Sequence, residues 1–167
     1  KALRDVRVVA VAAGDSHSIL LTDTGDVFTF GEGVCGQLGH GNRKSCYIPK
    51  KIKALSRVRV VSIAAGGNHS MVLTDRGDVM SFGMGSSGQL GLGDRENRQR
   101  PTVIKALCKK RVVAMTAGDA HAIVLTDEGT VFSFGYGGDG SLGHGDEVSR
   151  HTPVELGSLK CDPCARK

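Results

Sequence analysis

Apolar and polar positions in this chain fall into short runs, and none keeps a helical spacing for long. Residues 8–13 (VVAVAA), 60–65 (VVSIAA) and 112–117 (VVAMTA) are dense in small and β-branched side chains, which suits an inner strand buried on both faces. After an Ala-Gly break, residues 17–21, 69–73 and 121–125 predict a second strand. A short acidic linker with Gly at a fixed place (Thr22 to Asp26, and its copies at 74–78 and 126–130) predicts a hairpin, because Gly accepts φ > 0 there. Residues 27–30, 79–82 and 131–134 alternate as half-buried strands do. A fourth strand is predicted near 48–52, 102–105 and 152–155, beginning beside Pro49, Pro101 and Pro153, a residue tolerated at a strand start or edge.

These elements recur without insertion or deletion. His17, His69 and His121 are 52 residues apart, and so are Gly31, Gly83 and Gly135, and Leu38, Leu90 and Leu142. Four antiparallel strands in a unit of this length are the pattern of a propeller blade. The predicted architecture is therefore all-β: β-propeller blades of four antiparallel strands in three repeats, at about 5–56, 57–108 and 109–156, with 157–167 a tail or linker. Three blades are fewer than the roughly four to eight that close a ring. The expectation is a segment of a seven-bladed propeller, completed by a longer chain or by a second copy.

Composition sharpens this picture. The 167 residues include 24 Gly, about double the usual share of roughly 7%. Hydrophobic residues at 40% and charged residues at 23% indicate a folded chain. No run approaches the roughly 20 apolar residues of a membrane span, and no secretory leader is visible. Five cysteines, Cys35, Cys46, Cys108, Cys161 and Cys164, are odd in number and ignore the repeat. That argues against a disulfide framework and for a reducing, intracellular location, nuclear or cytoplasmic. Cys161 and Cys164 form one C-x-x-C pair, half of what a zinc site needs.

The segments AGDSHSILLTDTGDVFTFGEGVCGQLGHG and AGGNHSMVLTDRGDVMSFGMGSSGQLGLG resemble repeats of the regulator of chromosome condensation family. The resemblance extends from Val6 to Leu156. It implies an intracellular propeller used as a protein-binding platform, with a guanine-nucleotide exchange factor for a small Ras-like GTPase among its members. Nucleosome binding and service as domains of ubiquitin ligases or kinases also occur in the family. Phe30, Phe82 and Phe134 stand where the family often has Trp. The branch that senses ultraviolet light uses clustered Trp, and these residues include none.

Gly31-x-Gly33-x-x-Gly36 and its two copies match a dinucleotide-binding fingerprint taken singly. That site needs a helix after the glycines, and Leu-Gly-x-Gly follows instead, so tight turns are predicted and no cofactor is implied. The recurring histidines admit two readings: structural donors bonded to backbone, or partner contacts. The resemblance implies contacts at acidic and histidine positions of the A-G-x-x-H turn, which here are Asp15 and His17, Asn68 and His69, Asp119 and His121. Gly67 replaces the acid in the middle repeat. A basic stretch with Arg43, Lys44, Lys50, Lys51 and Lys53, matched by Arg95, Arg98 and Arg100, is either a solvated blade edge or a patch for DNA, a nucleosome or an acidic surface. No catalytic constellation and no metal-ligand set emerges, which leans away from an enzyme.

Overall fold

The computed structural model describes residues 6–157. Twelve strands form three sheets of four antiparallel strands each. Blade 1 comprises β1 (Val8–Ala13), β2 (His17–Thr22), β3 (Val27–Gly31) and β4 (Cys46–Lys51). Blade 2 comprises β5 (Val60–Ala65), β6 (His69–Thr74), β7 (Val79–Gly83) and β8 (Arg98–Val103). Blade 3 comprises β9 (Val112–Ala117), β10 (His121–Thr126), β11 (Val131–Gly135) and β12 (Arg150–Glu155).

The core lies between blades rather than within them. Ile19, Leu21 and Val27 of blade 1 pack against Val60, Val72 and Phe82 of blade 2. Met71, Leu73 and Val79 then pack against Val112, Val124, Phe132 and Phe134 of blade 3. Strand β6, covered on both faces, is buried along its whole length. The Leu-Gly-x-Gly loops make this stacking possible. Gly39 has φ +71°, and a Cβ there would stand 2.9 Å from Phe82 Cε2; Gly91 seats Phe134 in the same way at 2.8 Å. Each Phe ring of one blade thus rests on a backbone that only glycine leaves open.

Two sequence expectations need correction. The innermost strands are not buried on both faces: Val9, Val61 and Val113 are about half exposed. Each sits at a register shift between the first and second strand of its blade, and the extra residue of a bulge is turned out of the ladder. The fourth strands also begin earlier than predicted, and the prolines lie inside them. They are the outermost strands, where a missing N–H breaks no ladder bond. The pairing jumps from Thr29↔Lys50 to Gly31↔Cys46, leaving Pro49 out of register, and the other two blades repeat this. Single-turn 3₁₀ segments at Lys53–Leu55 and Lys105–Leu107 bury Leu55 and Leu107 under the next blade.

Candidate functional site

The turn between the first and second strand of each blade is closed by a backbone bond from its glycine to its histidine: Gly14 N–H to His17 O, Gly66 to His69 and Gly118 to His121, each 2.9 Å. Gly14 is wedged between its own His17 ring and the Gly66 carbonyl of the next blade, so no side chain fits there. A second set of backbone bonds then crosses the blades. Asp15 N–H donates to Gly67 O at 3.2 Å, and Gly67 N–H donates to Asp119 O at 3.0 Å.

This ladder sets Asp15, Gly67 and Asp119 in a row. Asp15 and Asp119 are exposed and Gly67 is buried. The position a Cβ on Gly67 would occupy collides with Asp119 Oδ1 and lies 3.1 Å from Asp15 Oδ2. Both carboxylates therefore lean over the one residue of the row that has no side chain. The missing acid of the middle repeat is the gap into which its neighbours converge, and three blades build one acidic patch.

The histidines behave differently. His17 is buried and lies 2.8 Å from Ser70 Oγ of the next blade. Ser70 spends its own proton on Gln37 O at 2.8 Å. His17 must therefore donate through Nε2–H. Burial pushes its pKa down to about 4 against the upward pull of Asp15. His69 is fully buried, and neither ring nitrogen has a partner. The residue facing it in blade 3, equivalent to Ser70, is Ala122. Burial first, then the His17 and His121 rings, push His69 down to about 4, with the Asp119 backbone pulling weakly the other way. His121 is half-buried. Asn68, also half-buried, accepts from Gln37 Nε2 at 3.1 Å and ties blade 2 to a blade 1 loop.

The basic residues do not form one free patch. Lys51 pairs with Asp26 at 2.6 Å, and Arg98 pairs with Asp94. Arg95 Nε donates to His151 Nε2 at 3.1 Å, and the Arg100 guanidinium lies against Gly41 of blade 1. Arg43, Lys44, Lys50 and Lys53 are exposed and enter no ion pair among the described residues.

Gly31 and Gly36 take φ of +106° and +89°, and turns rather than a helix follow them. Among the described residues no cluster of His, Cys, Asp or Glu is arranged to hold a metal, and no helix is long and apolar enough to cross a membrane. Cys35, Cys46 and Cys108 are free thiols. Cys161 and Cys164, and the tail from 158 on, lie outside the described residues. The sequence reading missed Ser70 and the buried Gln37 and Gln89, whose amide oxygens accept from Cys35 N–H and Ser87 N–H at 2.9 Å. The recurrence of Gly-Gln-Leu was the available signal.

A protein that stacks four-stranded blades on glycine-seated aromatic rings, with a tight Ala-Gly turn at the inner end of each, is a β-propeller of repeat type. The regulator of chromosome condensation (RCC1) repeat pattern matches residues 24–73, 76–125 and 128–163, and the chain belongs to this family. The matched unit takes the outer half of one blade with the inner half of the next. The human E3 ubiquitin-protein ligase HERC2 is 41% identical over 156 residues, covering 92% of this chain and 3% of the ligase. The crystal structure of human WBSCR16 superposes with a TM-score of 0.82 at 30% identity, over 90% of this chain and 38% of that one. Prp20p of Saccharomyces cerevisiae, whose structure is described together with its binding to Gsp1p and histones, gives 0.81 at 23% identity, over 92% and 39%. The chain thus spans a small part of that ligase and about two fifths of the two solved propellers.

Proposed function

We propose that the Ala-Gly turn face is an intracellular protein-docking face, with Asp15 and Asp119 as its contact residues. The observation that carries this reading is the pair of exposed carboxylates fixed over Gly67 by the inter-blade backbone ladder. Loop residues on a rigid scaffold are common contact points, and a fixed acidic pair suits a partner that presents Lys or Arg. In the same reading the histidines support the face from below. Burial keeps His17 and His69 neutral at physiological pH, so they brace the turns and leave recognition to the acids.

The activity we assign to this face is guanine-nucleotide exchange on a Ras-like GTPase. The mechanism is displacement: the face binds the nucleotide-free GTPase better than the loaded form, so partner and nucleotide weaken each other's binding reciprocally. Further blades, from a longer chain or a second copy, complete the ring in this reading. The experiment is nucleotide release from a panel of Ras-like GTPases with and without the purified full-length protein. Acceleration that disappears on alanine substitution at Asp15 and Asp119 supports the assignment, and its absence across the panel overturns it.

A second reading is substrate docking within a larger ubiquitin ligase, favoured by the 41% identity to HERC2. It predicts capture of a basic protein segment by the same acidic pair without any effect on nucleotide release. Chromatin binding through Arg43, Lys44, Lys50 and Lys53 is the weaker alternative, because in the matching stretch Arg98 is paired with Asp94 and Arg95 is tied to His151.

A further inference from the structure

At the end of blade 2 opposite the histidine turns lies a cleft of about 360 Å³. Val58 and Met80 give it an apolar floor. Its rim carries Arg57, Arg59 and Arg76, with Asp75 and Asp78 on the hairpin side. The corresponding positions of the flanking blades carry different side chains. In blade 3, Lys110 replaces Val58 and Phe132 replaces Met80, and Lys110 Nζ lies 5.0 Å from the Phe132 ring centre. A cation folded onto an aromatic face closes the space there. In blade 1, Lys51 reaches across to Asp26 at 2.6 Å, whereas the blade 2 counterparts are Val103 and Asp78. Blade 2 lacks both lids.

None of the three arginines is in an ion pair among the described residues. One of them has a fixed root: a Cβ on Gly25 of blade 1 would stand 3.0 Å from Arg59 Cγ. Unpaired guanidinium groups beside a hydrocarbon floor call for a ligand that brings both carboxylates and an aliphatic group. Carboxylates suit the planar guanidinium fork. No aromatic residue lines the cleft, so it offers no platform for stacking a base. Asp75 and Asp78 repel an acid placed against the hairpin, which directs the ligand's carboxylates toward Arg57 and Arg59.

We propose that this cleft docks an acidic peptide segment whose single aliphatic side chain seats on Val58 and Met80 while its flanking carboxylates pair with Arg57 and Arg59. The site is separate from the Asp15 and Asp119 face, so either assignment stands or falls without the other. The test titrates an acetylated, amidated Glu-Glu-Leu-Glu peptide into full-length protein carrying ¹³C-methyl methionine. Met80 is the reporter and Met115 of β9 the internal control. The expected result is a saturable shift of Met80 with Met115 unmoved, weakened about tenfold or more by Arg57→Glu with Arg59→Glu. Val58→Glu replaces part of the apolar floor with a charge of the ligand's own sign and abolishes the shift, while Asp15→Ala with Asp119→Ala leaves it intact. An unshifted Met80 in the unmodified protein overturns the proposal. So does a shift that survives Val58→Glu in a variant whose Met115 signal remains native, or an equal shift from the Lys-Lys-Leu-Lys peptide.

Discussion

Ser70 and Ala122 occupy equivalent places in blades 2 and 3, and exchanging their side chains tests how the blades are fastened. Ser70 Oγ accepts from His17 Nε2–H and donates to Gln37 O, both at 2.8 Å and both buried. Ser70→Ala removes two hydrogen bonds and strands a buried ring N–H and a buried carbonyl. With a net worth of about 1 kcal/mol per bond, and more when the partner is left unsatisfied, the loss is about 2–3 kcal/mol. The converse change, Ala122→Ser, places a hydroxyl between the unpartnered His69 Nε2 and Gln89 O and gains about 1 kcal/mol. Urea unfolding read by circular dichroism measures both, with thermal midpoints moving by roughly 2–4 °C per kcal/mol in a chain of this size. Unfolding free energies for Ser70→Ala within about 0.5 kcal/mol of the unmodified protein would refute the reasoning. Destabilisation by Ala122→Ser would refute the claim that His69 lacks only a partner.

The remaining predictions concern pH and the acidic face. The pKa values of His17 and His69 are held at about 4 in the folded protein, below the unfolded value near 6.5. Protons therefore bind the unfolded chain first as pH falls. Stability is full above about pH 6.5, declines between there and about pH 4, and loses up to about 3 kcal/mol per histidine. Equilibrium unfolding at a series of pH values checks this, and His69→Gln flattens the decline. Gly67→Ala pushes the Asp119 carboxylate aside, since that flexible end is the nearest atom to the new Cβ. It lowers partner binding by about tenfold and costs about 1–2 kcal/mol of stability, because the Asp119 carbonyl of the ladder, 3.0 Å from the new Cβ, must also give. A binding isotherm and an unfolding curve on the same preparation separate the two effects.

The strand order and repeat were legible because hydrophobic spacing, turn glycines and the 52-residue recurrence agreed at every position. The inner strands were misread because Val-Val-x-x-x-Ala is dense in small and apolar residues, and a one-residue bulge that re-aims Val9, Val61 and Val113 leaves no mark in composition. The position of Pro49, Pro101 and Pro153 inside the outer strands was hidden for a related reason: whether a strand edge is free depends on the sheet, not on local sequence. Asp15, His17, Asn68, His69, Asp119 and His121 were all visible as one recurring motif. The division into exposed Asp15 and Asp119 and buried His17 and His69 was not, since it follows from contacts between blades. Gly67 looked like a lapse in the pattern until the ladder put it between two acids. The cleft at Val58 and Met80 was invisible to a reading that sought what the repeats share, because it exists where blade 2 departs from its neighbours.

The two carboxylates over Gly67 are proposed as the contacts through which this face accelerates nucleotide release from a Ras-like GTPase. The most direct measurement is release of fluorescent guanine nucleotide from a panel of Ras-like GTPases, with the unmodified full-length protein and with its Asp15→Ala, Asp119→Ala variant. At least one GTPase is expected to release nucleotide faster with the unmodified protein. The variant, with an unchanged unfolding midpoint, should lose about tenfold or more of that acceleration. Equal acceleration by both proteins, or none by either across the panel, would contradict this assignment.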